Sequence, residues 1–257
     1  MNVTPYPYVN EVLSDLLNRA RNILGDQFVG MYLYGSLAAG DFNVDRSDID
    51  FLIVTRDLLP QDTVDELERM HLELAASDSK WARKLEGQYV PLRELRRYNA
   101  DGPKLPTVNE RRFYLAGQGH DWVMQRYILR EQETIVAGPS IREHIDPVSA
   151  GDLRAAAAAV MDDWWAPMAD DHAWLDGRPD YIAFAVQTMC RVLYTLEKGT
   201  VVSKTAATEW ALETVDAKWR DLVEAANTWP DGPPPDLNLT TDFIRYVSET
   251  AGSQAFS

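Results

Sequence analysis

Met31-Tyr32-Leu33-Tyr34-Gly35-Ser36 is an apolar run that turns at Gly-Ser, and Ser47-Asp48-Ile49-Asp50-Phe51-Leu52-Ile53-Val54 follows it after a short connection. Both runs have strand length, and residues 37–46 between them hold Gly40, Asn43, Asp41 and Asp45, which are turn formers. On a strand, Asp48 and Asp50 leave the same face of the sheet, roughly 6–7 Å apart along it. Ile49 and Phe51 then point the other way, into a core. Two carboxylates on one rigid face suit a hard divalent cation, because Mg²⁺ is typically held by one or two carboxylates together with phosphate oxygens and water. An isolated Asp-x-Asp usually marks solvated edge residues. Here the pair heads an apolar strand and follows a Gly-Ser turn.

Working outward, residues 9–24 place Val9, Val12, Leu13, Leu16, Leu17, Ala20, Ile23 and Leu24 at three- and four-residue intervals. That stripe predicts an amphipathic helix ending near Gly25. Residues 28–34 and 49–55 are the two strands. Pro60 opens a helix expected to run to about Lys80. Leu85-Glu86-Gly87-Gln88-Tyr89-Val90 alternates weakly and predicts a third strand. Residues 99–109, with Gly102, Pro103 and Pro106, predict a loop, and residues 113–120 carry no assignment. Residues 122–133 are helical or extended.

Pro147 and Gly151 punctuate a boundary, beyond which the composition shifts to helix formers. Asp152 is expected to cap a helix containing residues 155–160. Residues 162–180 mix aromatics and acids with Pro167, Gly177 and Pro179, which predicts a broken stretch. Residues 181–198 form a strong helix stopped by Gly199. Ser203 caps the next one, 204–215; residues 218–227 follow, Pro230 to Pro235 force a break, and 241–250 form a last short helix. The expected architecture is an α/β (α+β) domain with a small mixed sheet over residues 1–150, followed by an all-α helical bundle over 151–257.

The chain has 257 residues, 25 basic and 40 acidic, for a formal charge of −15. Such a field repels nucleic acid and anionic membranes, so neither is expected as a partner, whereas cationic ligands are favoured. Cys190 is the single cysteine and lies in an apolar helical pattern, so no internal disulfide is possible and a reducing, cytoplasmic location is expected. No segment resembles a signal peptide or a membrane span. The four histidines lack metal-ligand spacing, and phosphate-loop, dinucleotide and Gly-x-Ser-x-Gly motifs are absent.

The Gly-Ser turn followed by Asp-x-Asp at the head of a strand resembles the nucleotidyltransferase superfamily. Tyr34-Gly35-Ser36 and Ser47-Asp48-Ile49-Asp50-Phe51-Leu52, with Leu85-Glu86, look like the metal strand and base segment of streptomycin/spectinomycin adenylyltransferases. The likeness continues through Ala137-Gly138-Pro139, Asp146-Pro147-Val148, Cys190-Arg191-Val192-Leu193-Tyr194 and Gly199-Thr200-Val201-Val202-Ser203-Lys204 to Glu209-Trp210-Ala211-Leu212. Residues 99–118 and the tail after Trp229 match poorly.

The resemblance implies an enzyme that transfers AMP from ATP to a hydroxyl of an aminoglycoside or aminocyclitol, releases pyrophosphate, and confers antibiotic resistance. It implies that Asp48 and Asp50 hold two Mg²⁺ ions. Glu86 would act as base and, as a third acid from the neighbouring strand, could complete the metal set. Gly35, Ser36, Ser47, Lys204 and Arg191 would bind nucleotide, Lys204 reaching it from the helical domain. Trp174, Asp176 and Asp180 would receive the cationic drug, although the same residues would serve equally as a solvated acidic loop over packed tryptophans. A monomer is expected. Two other readings stay open on the sequence: the same chemistry on a protein or RNA acceptor, and a non-catalytic nucleotide-binding protein.

Overall fold

Two strands rich in β-branched and aromatic residues, β1 (Phe28–Leu33) and β2 (Ile49–Thr55), pair antiparallel, with Leu33 opposite Phe51 and Tyr32 opposite Leu52. β3 (Leu85–Pro91) joins β2 in parallel, whereas the other strand pairings among the described residues are antiparallel, in a six-stranded sheet of order β5-β4-β3-β2-β1-β6. The remaining strands are β4 (Leu105–Asn109), β5 (Arg112–Ala116) and β6 (Thr134–Ala137). The computed structural model describes residues 3–109 and 111–254. It divides into two compact units, Met1–Pro147 and Val148–Ser257.

In the first unit, α1 (Pro7–Leu24) buries the stripe Val9, Val12, Leu13, Leu16, Leu17, Ala20 and Leu24. Together with α3 (Gln61–Ala76) it shares one apolar cluster with the Ile49, Phe51 and Ile53 face of β2 and with Leu85 and Tyr89 of β3. Each fully buried Leu or Ile there is worth about 1.5–3 kcal/mol. Leu52 and Val54, on the opposite face, are also fully buried. A parallel pair at the middle of a sheet is normally covered on both faces, and here only the leading end of β2 stays open to polar groups.

Several sequence expectations are corrected. The Gly-Ser "turn" is the start of a short helix, α2 (Gly35–Ala39). α3 stops at Ala76, not near Lys80, where Ser77 turns extended and its hydroxyl donates to the Leu74 carbonyl at 2.7 Å. The loop expected over 99–109 contains β4, which forms a hairpin with β5. Pro106 is tolerated because β4 meets β3 only at Thr107 and Val108, leaving Pro106 no donor to supply on that side. α4 (Leu92–Leu95) follows β3 directly, and α5 (Asp121–Gln132) is fully helical.

The second unit is all helical: α6 (Ala150–Val160), α7 (Ala166–Asp170), α8 (Pro179–Lys198), α9 (Lys204–Thr214), α10 (Ala217–Thr228) and α11 (Leu237–Gln254). α8 is its axis, burying Ile182, Val186, Met189, Cys190, Leu193 and Leu196 against Trp165, Trp219, Phe243 and Val247. It stops at Gly199 (φ 66°), whose N–H donates to the Thr195 carbonyl at 2.9 Å. The cap of α6 is Ser149, not Asp152; Asp152 completes a reciprocal capping box by accepting from the Ser149 N–H. α11 is 18 residues rather than a short helix, because Asp236 caps it by accepting from the Leu239 N–H at 2.8 Å. No helix among the described residues is long and apolar enough to cross a membrane. The expected combination of mixed-sheet domain and helical bundle is the observed fold.

Candidate active site

The site begins with register. Asp50 and Glu86 are direct partners across the parallel β2–β3 ladder, so their side chains leave the same face of strands about 4.8 Å apart. Asp50 is half-buried, as is Glu86. Asp48 departs from expectation: β2 starts at Ile49, and Asp48 stands exposed in the connection just before it.

The Gly-Ser element is tied to this strand. The Tyr34 N–H donates to the Asp50 carbonyl at 3.2 Å. Gly35 has φ 62°, and a Cβ built on it would overlap Oδ2 of Asp50. Glycine is therefore required twice, by the left-handed backbone and by the carboxylate packed against it. The Tyr34 phenol is buried and its pKa is raised well above the ordinary value, first by burial and then by the negative field of Asp50, Glu86 and Asp121. Tyr34 thus stays a neutral hydroxyl beneath the acids. Asp121 opens α5, and crowding by protein raises its carboxyl pKa although the residue surface remains open. The sequence reading missed both Tyr34 and Asp121. Tyr34 stood inside the quoted motif, whereas Asp121 had no spacing signal, being brought in by chain reversal through the β4–β5 hairpin.

The connection 41–48 is internally hydrogen-bonded. Asn43 Oδ1 accepts from the Asp45 and Arg46 N–H groups at 2.9 and 3.3 Å, and Ser47 Oγ accepts from the Asn43 N–H at 2.9 Å. Phe42 anchors its start, buried between Tyr6 and Trp81 with ring centroids at 4.8 and 5.6 Å. Ser36 and Ser47 are both half-buried, one on α2 and the other at the end of this connection.

Hard carboxylate oxygens are the right donors for Mg²⁺. Among the described residues, however, no three His, Cys, Asp or Glu side chains are gathered as a group able to hold a metal ion. The donors fit a cation whose shell is completed by phosphate and water, not a protein-only cage.

The remaining expected residues belong to the second unit. Lys204 begins α9, capped by Ser203 through its bond from the Ala206 N–H at 3.2 Å, and its Nζ lies 4.5 Å from the Phe184 ring centroid. Arg191 is half-buried on α8. Trp174 packs edge-on against Tyr181 (4.5 Å between centroids) and against Trp164 (6.3 Å). The Arg178 guanidinium lies 3.6 Å from the Tyr181 ring centroid. Asp176 is exposed. Asp180, in the first turn of α8, accepts from the Trp229 indole N–H at 2.7 Å.

Comparison with known proteins agrees with this layout. The nucleotidyltransferase domain model matches residues 17–112, and the model for the aminoglycoside adenylyltransferase C-terminal domain matches residues 143–238. An aminoglycoside (3'') (9) adenylyltransferase of Klebsiella pneumoniae is 26% identical over 256 residues, covering 93% of each chain, and that of Escherichia coli is 26% identical over 257 residues with the same coverage. The crystal structure of spectinomycin adenyltransferase AAD(9) from Enterococcus faecialis with ATP and spectinomycin shares the fold, with a TM-score of 0.73 at 18% identity over 95% of this chain and 99% of that one. Over residues 17–112 and 143–238 the chain is thus similar, respectively, to the nucleotidyltransferase domain and to the C-terminal domain of aminoglycoside adenylyltransferases.

Proposed function

We propose that this enzyme transfers AMP from ATP to a hydroxyl of an aminoglycoside or aminocyclitol antibiotic, releasing pyrophosphate. The observation that carries the reading is the pairing of Asp50 with Glu86 across one parallel ladder, with Gly35 packed against the Asp50 carboxylate. One acid beside the phosphates and one beside the acceptor is what hydroxyl adenylylation requires.

Asp48 and Asp50 would hold Mg²⁺, with Glu86 alongside. Bound there, the cations neutralise charge on the triphosphate and on the leaving pyrophosphate. Glu86 acts as general base, taking the proton from the acceptor hydroxyl as that oxygen attacks the α-phosphorus and the bond to pyrophosphate breaks. Gly35, Ser36 and Ser47 bind the triphosphate; Ser47 Oγ already accepts from Asn43, so its own O–H is the group it can offer. Tyr34, held neutral, gives the acids a desolvated floor that strengthens their field. From the second unit, Lys204 and Arg191 are assigned to nucleotide, and Trp174, Asp176 and Asp180 to the cationic drug, on the family resemblance. Asp180 also anchors Trp229, so its assignment carries a structural duty as well.

The decisive experiment measures pyrophosphate release with ATP, Mg²⁺ and a panel including streptomycin and spectinomycin. Drug-dependent release with a mass gain of one AMP on the drug supports the assignment. ATP binding without turnover of any drug overturns it.

A further inference from the structure

Lys84 is the last residue of the 3₁₀ turn Ala82–Lys84, immediately ahead of β3. Its Nζ donates to the carbonyls of Asp45 at 3.2 Å and Ser47 at 3.1 Å. The Ser47 carbonyl belongs to the peptide whose N–H is that of Asp48. One ammonium therefore bridges the strand that carries Glu86 to the connection that carries Asp48. The stem of Lys84 is half-buried beside Trp81, whose ring centroid is 5.8 Å from Nζ. Trp81 in turn packs on Phe42, at the other end of the same connection.

The rest of the segment explains why such a clamp matters. Residues 44–46 are exposed; the Asp45 and Arg46 N–H groups donate to Asn43 Oδ1, and the Asp45 carbonyl accepts from Lys84. Asp48 lies outside the β2 ladder, so strand pairing does not fix it. Asp50 and Glu86 are set by register, whereas Asp48 is carried on this connection. We infer that Lys84 is a positioning residue that fixes Asp48 relative to Asp50 and Glu86 by clamping residues 45–47 to the head of β3. This inference rests on the nucleotidyltransferase reading.

Methionine has the length to keep the contact with Trp81 but offers no N–H donor. Three measurements compare Lys84→Met, Lys84→Arg and the control Lys80→Met, whose Nζ lies over the same ring at 4.7 Å. The first is amide exchange over residues 43–48 in the metal-free, nucleotide-free protein. The second is the affinity for Mn²⁺ alone, read by electron paramagnetic resonance as the signal that Asp50→Asn abolishes. The third is the Mg²⁺ concentration giving half-maximal turnover. Lys84→Met should speed exchange over 43–48 and weaken Mn²⁺ binding by about 10-fold or more, the usual effect of losing a partner that orients a ligand. The half-maximal Mg²⁺ concentration should rise in parallel. Lys84→Arg should restore most of each, and Lys80→Met should match wild type. Unchanged exchange, or faster exchange with unchanged Mn²⁺ affinity, overturns the inference. So does an equal loss in Lys80→Met, which would assign the effect to charge near Trp81. If Lys84→Met fails to fold, Lys84→Leu, which also lacks a side-chain N–H donor, replaces it under the same criteria. A wild-type protein that transfers no nucleotide defeats the functional reading alone, since exchange and Mn²⁺ affinity are read without turnover.

Discussion

Gly35 and Asp50 are in contact through a space that admits no side chain: Gly35 has φ 62°, and a Cβ there would overlap Oδ2 of Asp50. That contact joins the Gly-Ser element to the strand acid and fixes both relative to Glu86.

Gly35→Ala should therefore both strain the backbone and displace the carboxylate. A stability loss of about 1–3 kcal/mol is expected, together with near-complete loss of transfer. Gly40→Ala supplies the comparison, since φ is 73° there but nothing stands within 4 Å of the added Cβ. It should cost about 1–2 kcal/mol and leave most activity. Equal activity losses in the two variants, measured beside thermal melts, would remove the carboxylate contact from the explanation.

Glu86→Gln keeps the shape of the ladder and removes the base. Turnover should fall by about 10²–10⁴-fold, with ATP affinity by calorimetry near that of wild type. Wild-type turnover would strip Glu86 of its assigned role.

His71 offers a pH test independent of the site. It is buried, stacked on Phe51 and Phe113 and within 2.8 Å of the Tyr89 hydroxyl, and burial lowers its pKa to about 3. The unfolded chain binds this proton near the ordinary imidazole value and the folded chain does not. Stability is therefore fully present above that value and is lost as pH falls toward 3. The loss from this one group is about 2 kcal/mol at about pH 5. Denaturant melts of His71→Gln, which has nothing to titrate there, should show a shallower acid-side decline by that amount. Parallel declines would mean that the imidazole charges inside the fold.

Asp180 carries two assignments that substitution can separate. Asp180→Asn keeps an acceptor for the Trp229 indole N–H but removes the charge, whereas Asp180→Ala removes both. Asn should retain thermal stability while raising KM for a cationic drug, and Ala should lower stability as well, by about 0.5–1.5 kcal/mol. An unchanged KM in Asp180→Asn would leave Asp180 as the anchor of Trp229 only.

The capping box of α6 is testable without any substrate. Ser149→Ala removes the acceptor for the Asp152 N–H and should cost about 1 kcal/mol in a denaturant melt. No change would show that Asp152 alone holds the helix start.

Local rules made much of this protein legible from its residues. The stripe from Val9 to Leu24 dictated α1, the apolar runs around Met31 and Phe51 dictated β1 and β2, and Gly199 dictated the end of α8. Periodicity and turn chemistry act within a few residues, so they can be read along the chain. The β4–β5 hairpin was hidden because Pro106 signals a loop, and only the partial pairing with β3 makes it acceptable. The same holds at the site. The sequence alone named Asp48, Asp50 and Glu86, but the pairing of Asp50 with Glu86, the burial of Tyr34 beneath them, the arrival of Asp121 and the Lys84 clamp are contacts between segments far apart along the chain. Spacing along a chain carries no information about which segments meet; sheet register and packing decide that, and with it which acids face one another.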